Sequence, residues 1–307
     1  SDGTLLYTLS ESFIKFFFEG KFYVLFSMLF GYGFWIFINK TSIDGRSIVP
    51  VFRRRLFFLL LFGIAHVVFL WGGDILFFYA LFGFFLILSR KISDERIITW
   101  AIPLALVPTL LTGFFMIVIW FFSKIPEAAT QMEEGIAQNT ILMRALAEES
   151  YLVHTTGNYW EILSMRVREW STITQGGILV FYPVVLGMFL FGVWAARRKL
   201  ITNYTEHLGF FRKGLGWGLP VGLIFGGLYA YTFQFVRPNY PGFYEFLNTL
   251  SHTVGGFFLC LAYVSSIVLL SAKGKCTVFS KLVSPVGRMA LTNYLMHSII
   301  GVILFLP

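Results

Sequence analysis

Charge is what this sequence has least of. Only 13% of its 307 residues are Asp, Glu, Lys or Arg, about half the share usual in a soluble domain. Cysteine is nearly absent as well. Cys260 and Cys276 lie in or beside apolar sequence with no ligand-like spacing. That argues against a disulfide framework and a zinc site, leaving each as a structural thiol. No segment has the spacing of a zinc protease, a phosphate-binding loop or a dinucleotide fingerprint, and Gly31-Tyr32-Gly33 is a bare glycine pair. No metal is expected. The short alternating segments of an outer-membrane barrel are missing too.

What fills the chain instead is apolar. It is 57% hydrophobic with 37 phenylalanines, and its mean hydropathy is +0.74. No soluble fold hides that much apolar surface, so the expected class is all-α: a polytopic membrane helical bundle in one transmembrane domain over 1–307. Eight spanning segments are expected, at 22–38, 56–72, 75–89, 98–122, 177–196, 214–236, 253–271 and 288–306. The third is short for a span. Gly72-Gly73-Asp74 joins the second and third as a tight hairpin, and 4–20 reads as an amphipathic lead-in.

Charge orients the bundle. The loops 39–55, 90–97, 197–213 and 272–288 hold 17 of the 24 Lys and Arg but only 4 of the 16 Asp and Glu. They are therefore expected to face the cytoplasm, and the net charge of +8 points to a membrane and not to nucleic acid. The opposite side carries the longest insertion, 123–176, whose acidic stretch from Glu133 to Arg168 predicts one or two helices forming a cap, or else a solvated spacer. The chain begins without Met and on the outer side, which predicts either a removed signal segment or one more helix upstream. Gly214, Gly218, Gly222 and Gly226 recur every fourth residue, a ridge for close helix packing within the chain or in a homodimer.

Few polar groups fall at membrane depth. Arg53, Arg54 and Arg55 precede an apolar run that contains His66, roughly 15 Å further along a helix axis. Ionisable residues there are costly and are functional candidates by default. Asp74 closes the outer end of the same segment, where it either serves a site, orders the turn or pairs with a cation such as Lys21. Asn293 and His297, at i and i+4, share one face of the last segment. A neutral imidazole fixed at one nitrogen is a general base; alternatively each histidine is simply satisfied by a neighbouring helix. His154, His207 and His252 are expected in solvated loops or interfaces.

Several of these residues form a pattern. Gly20-Lys21-Phe22, the run Leu25 to Gly33, Arg54-Arg55 with Gly63, His66, Gly73-Asp74-Ile75-Leu76 and Tyr79-Ala80-Leu81, and finally Gly287-Arg288-Met289-Ala290-Leu291-Thr292-Asn293-Tyr294-Leu295 together resemble bacterial YeiB-like membrane proteins. That family is similar to the transmembrane acyltransferases, which include the acyltransferase-3 proteins and heparan-alpha-glucosaminide N-acetyltransferase. The resemblance implies acyl transfer from a cytoplasmic donor, acyl-CoA above all, to a hydroxyl or amine across a bacterial inner membrane. His66 would then be the base or a transient acyl carrier. Asp74, Asn293 and His297 would complete the site, with Arg53, Arg54, Arg55 and Arg288 on the donor's phosphates. Family members also carry an N-terminal helix with an Asp and an Arg-Gly pair, which this chain lacks. Rival readings are a transporter or flippase of an amphiphile, and a membrane sensor or scaffold using the cap to hold a partner.

Overall fold

A computed structural model describes residues 5–39, 47–180, 182–237, 240, 242–275 and 277–305. Among these residues every regular element is a helix. They are α1 (Leu5–Phe17), α2 (Lys21–Ile38), α3 (Val49–Phe69), α4 (Leu76–Ser89), α5 (Asp94–Phe122), α6 (Pro126–Thr156), α7 (Tyr159–Val180), α8 (Tyr182–Arg197), α9 (Leu208–Thr232), α10 (Phe243–Ala272), α11 (Thr277–Arg288) and α12 (Ala290–Phe305), with a short 3-10 turn at Tyr204–His207. Three stretches, Leu6–Ile38, Asp94–Phe122 and Phe243–Ala272, are long and apolar enough to cross a membrane, and Leu76–Ser89, Tyr182–Arg197 and Ala290–Leu304 are shorter apolar helices. Large apolar side chains on these helices, such as Leu88, Phe114, Ile267 and Ile303, are exposed, as a lipid-facing surface requires. Cys276 lies outside the described residues.

Contacts divide the chain into two compact units: Ser1–Ile36 with Ile92–Asn139 and Leu179–Lys273, and Phe37–Lys91 with Thr140–Ile178 and Gly274–Pro307. In the first unit, small residues set the spacing. The α9 ridge packs on α10 of the same chain: Gly218 faces Phe258 and Ala262, and Gly222 faces Leu259. All four ridge glycines are buried. α8 lies between α2 and α5, with Gly192 against Met28 and Gly187 against Ala101 and Ala105. Val24, Ala105, Val184, Met188 and Cys260 form the core between these helices. Arg197 closes α8 by donating to the Ile92 carbonyl at 2.5 Å and to Asp94 Oδ1 at 3.0 Å. Gly20 ends α1 at φ +82°, a conformation open to glycine, and the His252 ring fills the space where a Cβ would stand.

The second unit is built on the α3–α4 hairpin. Pro50 opens α3 where no backbone N–H is needed. The two helices approach so closely at Gly63 that a Cβ there would collide with the Phe77 backbone. The stretch from Glu133 to Arg168 is two helices, α6 and α7, of which Thr140–Ile178 belongs to this unit. α6 buries none of its residues. Asn158 starts α7 by accepting from the backbone N–H groups of Trp160 and Glu161, while Glu161 accepts from the Asn158 N–H at 2.8 Å, a reciprocal cap. Arg168–Glu149 and Ser150–Glu169 pairs join the two helices.

Candidate functional site

The second unit gathers a histidine, a carboxylate, a tyrosine and a serine around one point. His66 lies in the last turn of α3, Asp74 in the hairpin after it, and Tyr294 and Ser298 on α12. The His66 and Asp74 side chains are fully buried, with Nδ1 and Oδ1 3.1 Å apart. That is ion-pair range, although the two atoms are not aligned as a hydrogen bond. On the other side of the ring, Nε2 is 2.8 Å from Ser298 Oγ. Tyr294 packs on the imidazole at 5.1 Å and interacts with Asp74.

The local structure explains why these groups stay put. Asp74 Oδ2 accepts the Phe77 N–H at 2.7 Å, which caps the start of α4 and fixes the carboxylate. The absence of a side chain at Gly63 brings Phe77 and Asp74 up to α3. A carboxylate beside Nδ1 favours the tautomer with the proton on that nitrogen, so the Nε2 lone pair faces the serine hydroxyl. The Ser298 hydroxyl has a second acceptor, the Tyr294 carbonyl, at the longer distance of 3.4 Å. An imidazole, a carboxylate and a hydroxyl are thus brought together, the three groups that nucleophilic catalysis by a hydroxyl uses.

Arg166, from α7, braces the same hairpin. It is buried, and its Nη1 donates to the Phe69 carbonyl at 2.6 Å, satisfying an open carbonyl at the end of α3. Burial draws its guanidinium below the usual range, against the pull of Glu169. Trp170, one turn on, packs edge-on against Phe77 with ring centroids 5.3 Å apart.

The residues expected from sequence are distributed unevenly around this centre. His66 and Asp74 meet. Asn293 donates to the Val286 carbonyl at 2.9 Å, tying α12 to α11, and the exposed His297 uses Nδ1 on the Asn293 carbonyl at 2.6 Å. The residues one position on, Tyr294 and Ser298, themselves spaced i, i+4, take the place beside His66. Arg53, Arg54 and Arg55 are exposed on the first turns of α3. Arg55 stacks on Phe37 at 4.6 Å, and Arg53 edges an open pocket with Phe84, Phe85, Ile87 and Leu88. Arg288 is exposed at the end of α11. Among the described residues no group of three or more His, Cys, Asp or Glu could hold a metal.

Lys21 is not the partner of Asp74. It sits in the first unit, where its Nζ donates to the Lys15 carbonyl at 2.7 Å. Lys15 in turn pairs with Glu19 at 3.1 Å, and the Tyr229 hydroxyl donates to Glu19 at 2.7 Å. His252, expected in a solvated place, lies on α10 between the rings of Tyr23 and Tyr229. Periodicity gave no sign of this cluster, because its members come from α1, α2, α9 and α10.

The sequence is similar to known proteins along most of its length. A family described as "Protein of unknown function (DUF418)" matches residues 195–307. "Uncharacterized protein YxaH" of Bacillus subtilis (strain 168) is 31% identical over 301 residues, covering 94% of this chain and 67% of that protein. An "Uncharacterized 39.9 kDa protein in amylase 3'region" of Bacillus acidopullulyticus is 36% identical over 107 residues, 34% of this chain and 31% of that protein. No solved structure matches the chain.

Proposed function

We propose that this chain, which belongs to the family of YxaH and whose residues 195–307 match the DUF418 family, is a membrane-embedded acyltransferase. The observation that carries this is His66 held between Asp74 at 3.1 Å and Ser298 at 2.8 Å. His66 Nε2 takes the Ser298 proton as Oγ attacks the acyl carbonyl. The donor's C–S bond breaks, and the leaving thiolate receives that proton. An acceptor hydroxyl or amine then gives its proton to Nε2, attacks the acyl-serine and releases Oγ, which is reprotonated.

The donor in this reading is an acyl-CoA. Arg53, Arg54, Arg55 and Arg288 take its phosphates on the cytoplasmic side, as guanidinium groups suit phosphate. From Arg54 to His66 is twelve residues, about 18 Å along α3, so the donor's long arm runs beside that helix to the hairpin. Eight spans, basic loops inside and a location in the bacterial inner membrane belong to the same reading. They are supported by the charge bias of the loops and by the apolar helices.

The test is release of CoA thiol from acetyl-CoA by the purified full chain in nanodiscs made from bacterial lipid extract, which supplies the acceptors. Wild type is expected to release thiol, and His66→Ala at least about a hundredfold less. Equal rates in the two, with both folded, sink the proposal. One observation favours a second reading, a transporter. Lys15, Glu19 and buried Lys21 lie in Leu6–Ile38, a stretch apolar enough to cross a membrane, with Tyr229 of α9 donating to Glu19, and such groups mark substrate paths. Flux of an amphiphile in vesicles without covalent change, abolished by Lys21→Met, would favour it.

A further inference from the structure

Five buried polar atoms of the second unit have no hydrogen-bond partner: His66 Nδ1, Asp74 Oδ1, Arg166 Nε, Trp170 Nε1 and Thr174 Oγ1. The last three come from positions i, i+4 and i+8 of α7, so they lie on one face of that helix. That face runs along the hairpin. A Cβ on Gly72 would stand 3.4 Å from the Arg166 carbonyl and 3.6 Å from the Trp170 nitrogen. Trp170 covers Phe77, whose N–H is the one held by Asp74. The face therefore borders the turn that carries half of the His66 site.

The chemistry of these atoms is one-sided. Guanidinium Nε–H and indole Nε1–H only donate, and a threonine hydroxyl can donate as well. Whatever meets the two N–H groups is an acceptor, and the threonine hydroxyl suits an acceptor as well. The charge on Arg166 narrows the choice further. Its cap on the Phe69 carbonyl occupies Nη1 and leaves Nε unused. Glu169 acts on the guanidinium, but its carboxylate accepts from Ser150. Among the described residues no carboxylate stands within ion-pair distance of Arg166. A buried charge without a counter-charge is costly, and an anionic oxygen supplies both the acceptor and the counter-charge.

We infer that the Arg166–Trp170–Thr174 face of α7 binds a phosphate or carboxylate group of the molecule on which His66 acts. The inference takes what happens at His66 from the acyl-transfer reading, but binding at the face stands without turnover. In that arrangement the substrate is anchored by its anionic group on α7, and its reacting oxygen or acyl carbon reaches across the hairpin to His66 and Ser298. The anion is either a soluble molecule's or a lipid headgroup's, and the two are separable.

The experiment uses the full chain labelled with 5-fluorotryptophan in maltoside micelles, with the Trp170 fluorine signal assigned by its loss in Trp170→Phe. One series is titrated with inorganic phosphate and the other with phosphatidylglycerol added to the micelles. A saturable shift of the Trp170 signal is expected in at least one series. Response to phosphate identifies a soluble ligand, and response to phosphatidylglycerol alone identifies a headgroup. Arg166→Gln is expected to weaken saturation by about tenfold or more, as loss of a charge-assisted hydrogen bond does. Because that variant also removes the cap on Phe69, Thr174→Val, which leaves the cap intact, is read beside it and is expected to weaken saturation several-fold. His66→Ala is expected to keep the shift. Persistence of the shift in the wild type when the wild type itself performs no acyl transfer would retain the anion site and discard the reaction. No shift in either series, or shifts unchanged in both Arg166→Gln and Thr174→Val, overturns the inference.

Discussion

His66 has a carboxylate within ion-pair distance of one nitrogen and a hydroxyl at the other, and that separates it from the other histidines among the described residues. His297 and His154 each use Nδ1 on the carbonyl four residues before, in their own helix, and neither touches a carboxylate. The Asp74 carboxylate divides its work: one oxygen caps Phe77, the other faces the imidazole. Asp74→Asn keeps an oxygen for the cap and loses the charge, so helix content should hold while acyl transfer falls by about two to four orders of magnitude. Thiol-release rates with circular dichroism on the same sample check this. The sequence made His66 and Asp74 visible because ionisable residues are rare in apolar runs. It did not make Ser298 or Tyr294 visible. Serine and tyrosine are ordinary in such helices, and Asn293–His297 has the same i, i+4 spacing as Tyr294–Ser298. One residue of offset turns the face by about 100°, and only the packed structure shows which face meets α3.

At the scale of elements, close approach does most of the positioning. Gly63→Ala should push the Phe77 backbone away, loosening the hairpin that carries Asp74, with a loss of about 1–3 kcal/mol expected for a forced fit. A lower unfolding temperature and loss of thiol release together would verify it, whereas unchanged values would show that the hairpin tolerates the methyl group. Asn293 has a comparable structural role. Asn293→Ala removes its bond to the Val286 carbonyl and should cost about 1 kcal/mol in thermal unfolding, while slowing acyl transfer far less than Ser298→Ala. Each of the eight apolar segments read from sequence overlaps helical residues, though 177–196 takes in the end of α7 as well as α8, and three stretches are long and apolar enough to cross a membrane. The amphipathic α11, Thr277–Arg288, fell inside a presumed loop, because a half-polar helix lying outside the apolar runs has no hydropathy signature. The glycine ridge was legible as a packing face, but its partner, α10, was not. A spacing of four says that something approaches, not what.

For the whole molecule, the two compact units differ in what they hold. The expected site residues all belong to the second unit, and the Lys15–Lys21–Glu19 cluster belongs to the first. Orientation rests on the loop charges, and single cysteines in a background lacking Cys260 and Cys276 test it. Lys199→Cys should label only after a membrane-impermeant maleimide gains access to the cytoplasmic side, and Trp160→Cys should label in intact cells. The reverse pattern would invert the proposed direction of transfer. The division into two units was not readable, since it depends on which helices pack together and not on any one segment. The claim on which all of this turns is that His66 activates Ser298 for acyl transfer, and the most direct measurement is mass spectrometry of the full chain after exposure to isotopically labelled acetyl-CoA and rapid acid quench. The account predicts a hydroxylamine-sensitive acetyl group on the peptide containing Ser298, absent in both Ser298→Ala and His66→Ala. An unlabelled Ser298 peptide, with thiol release undiminished in Ser298→Ala, would contradict it.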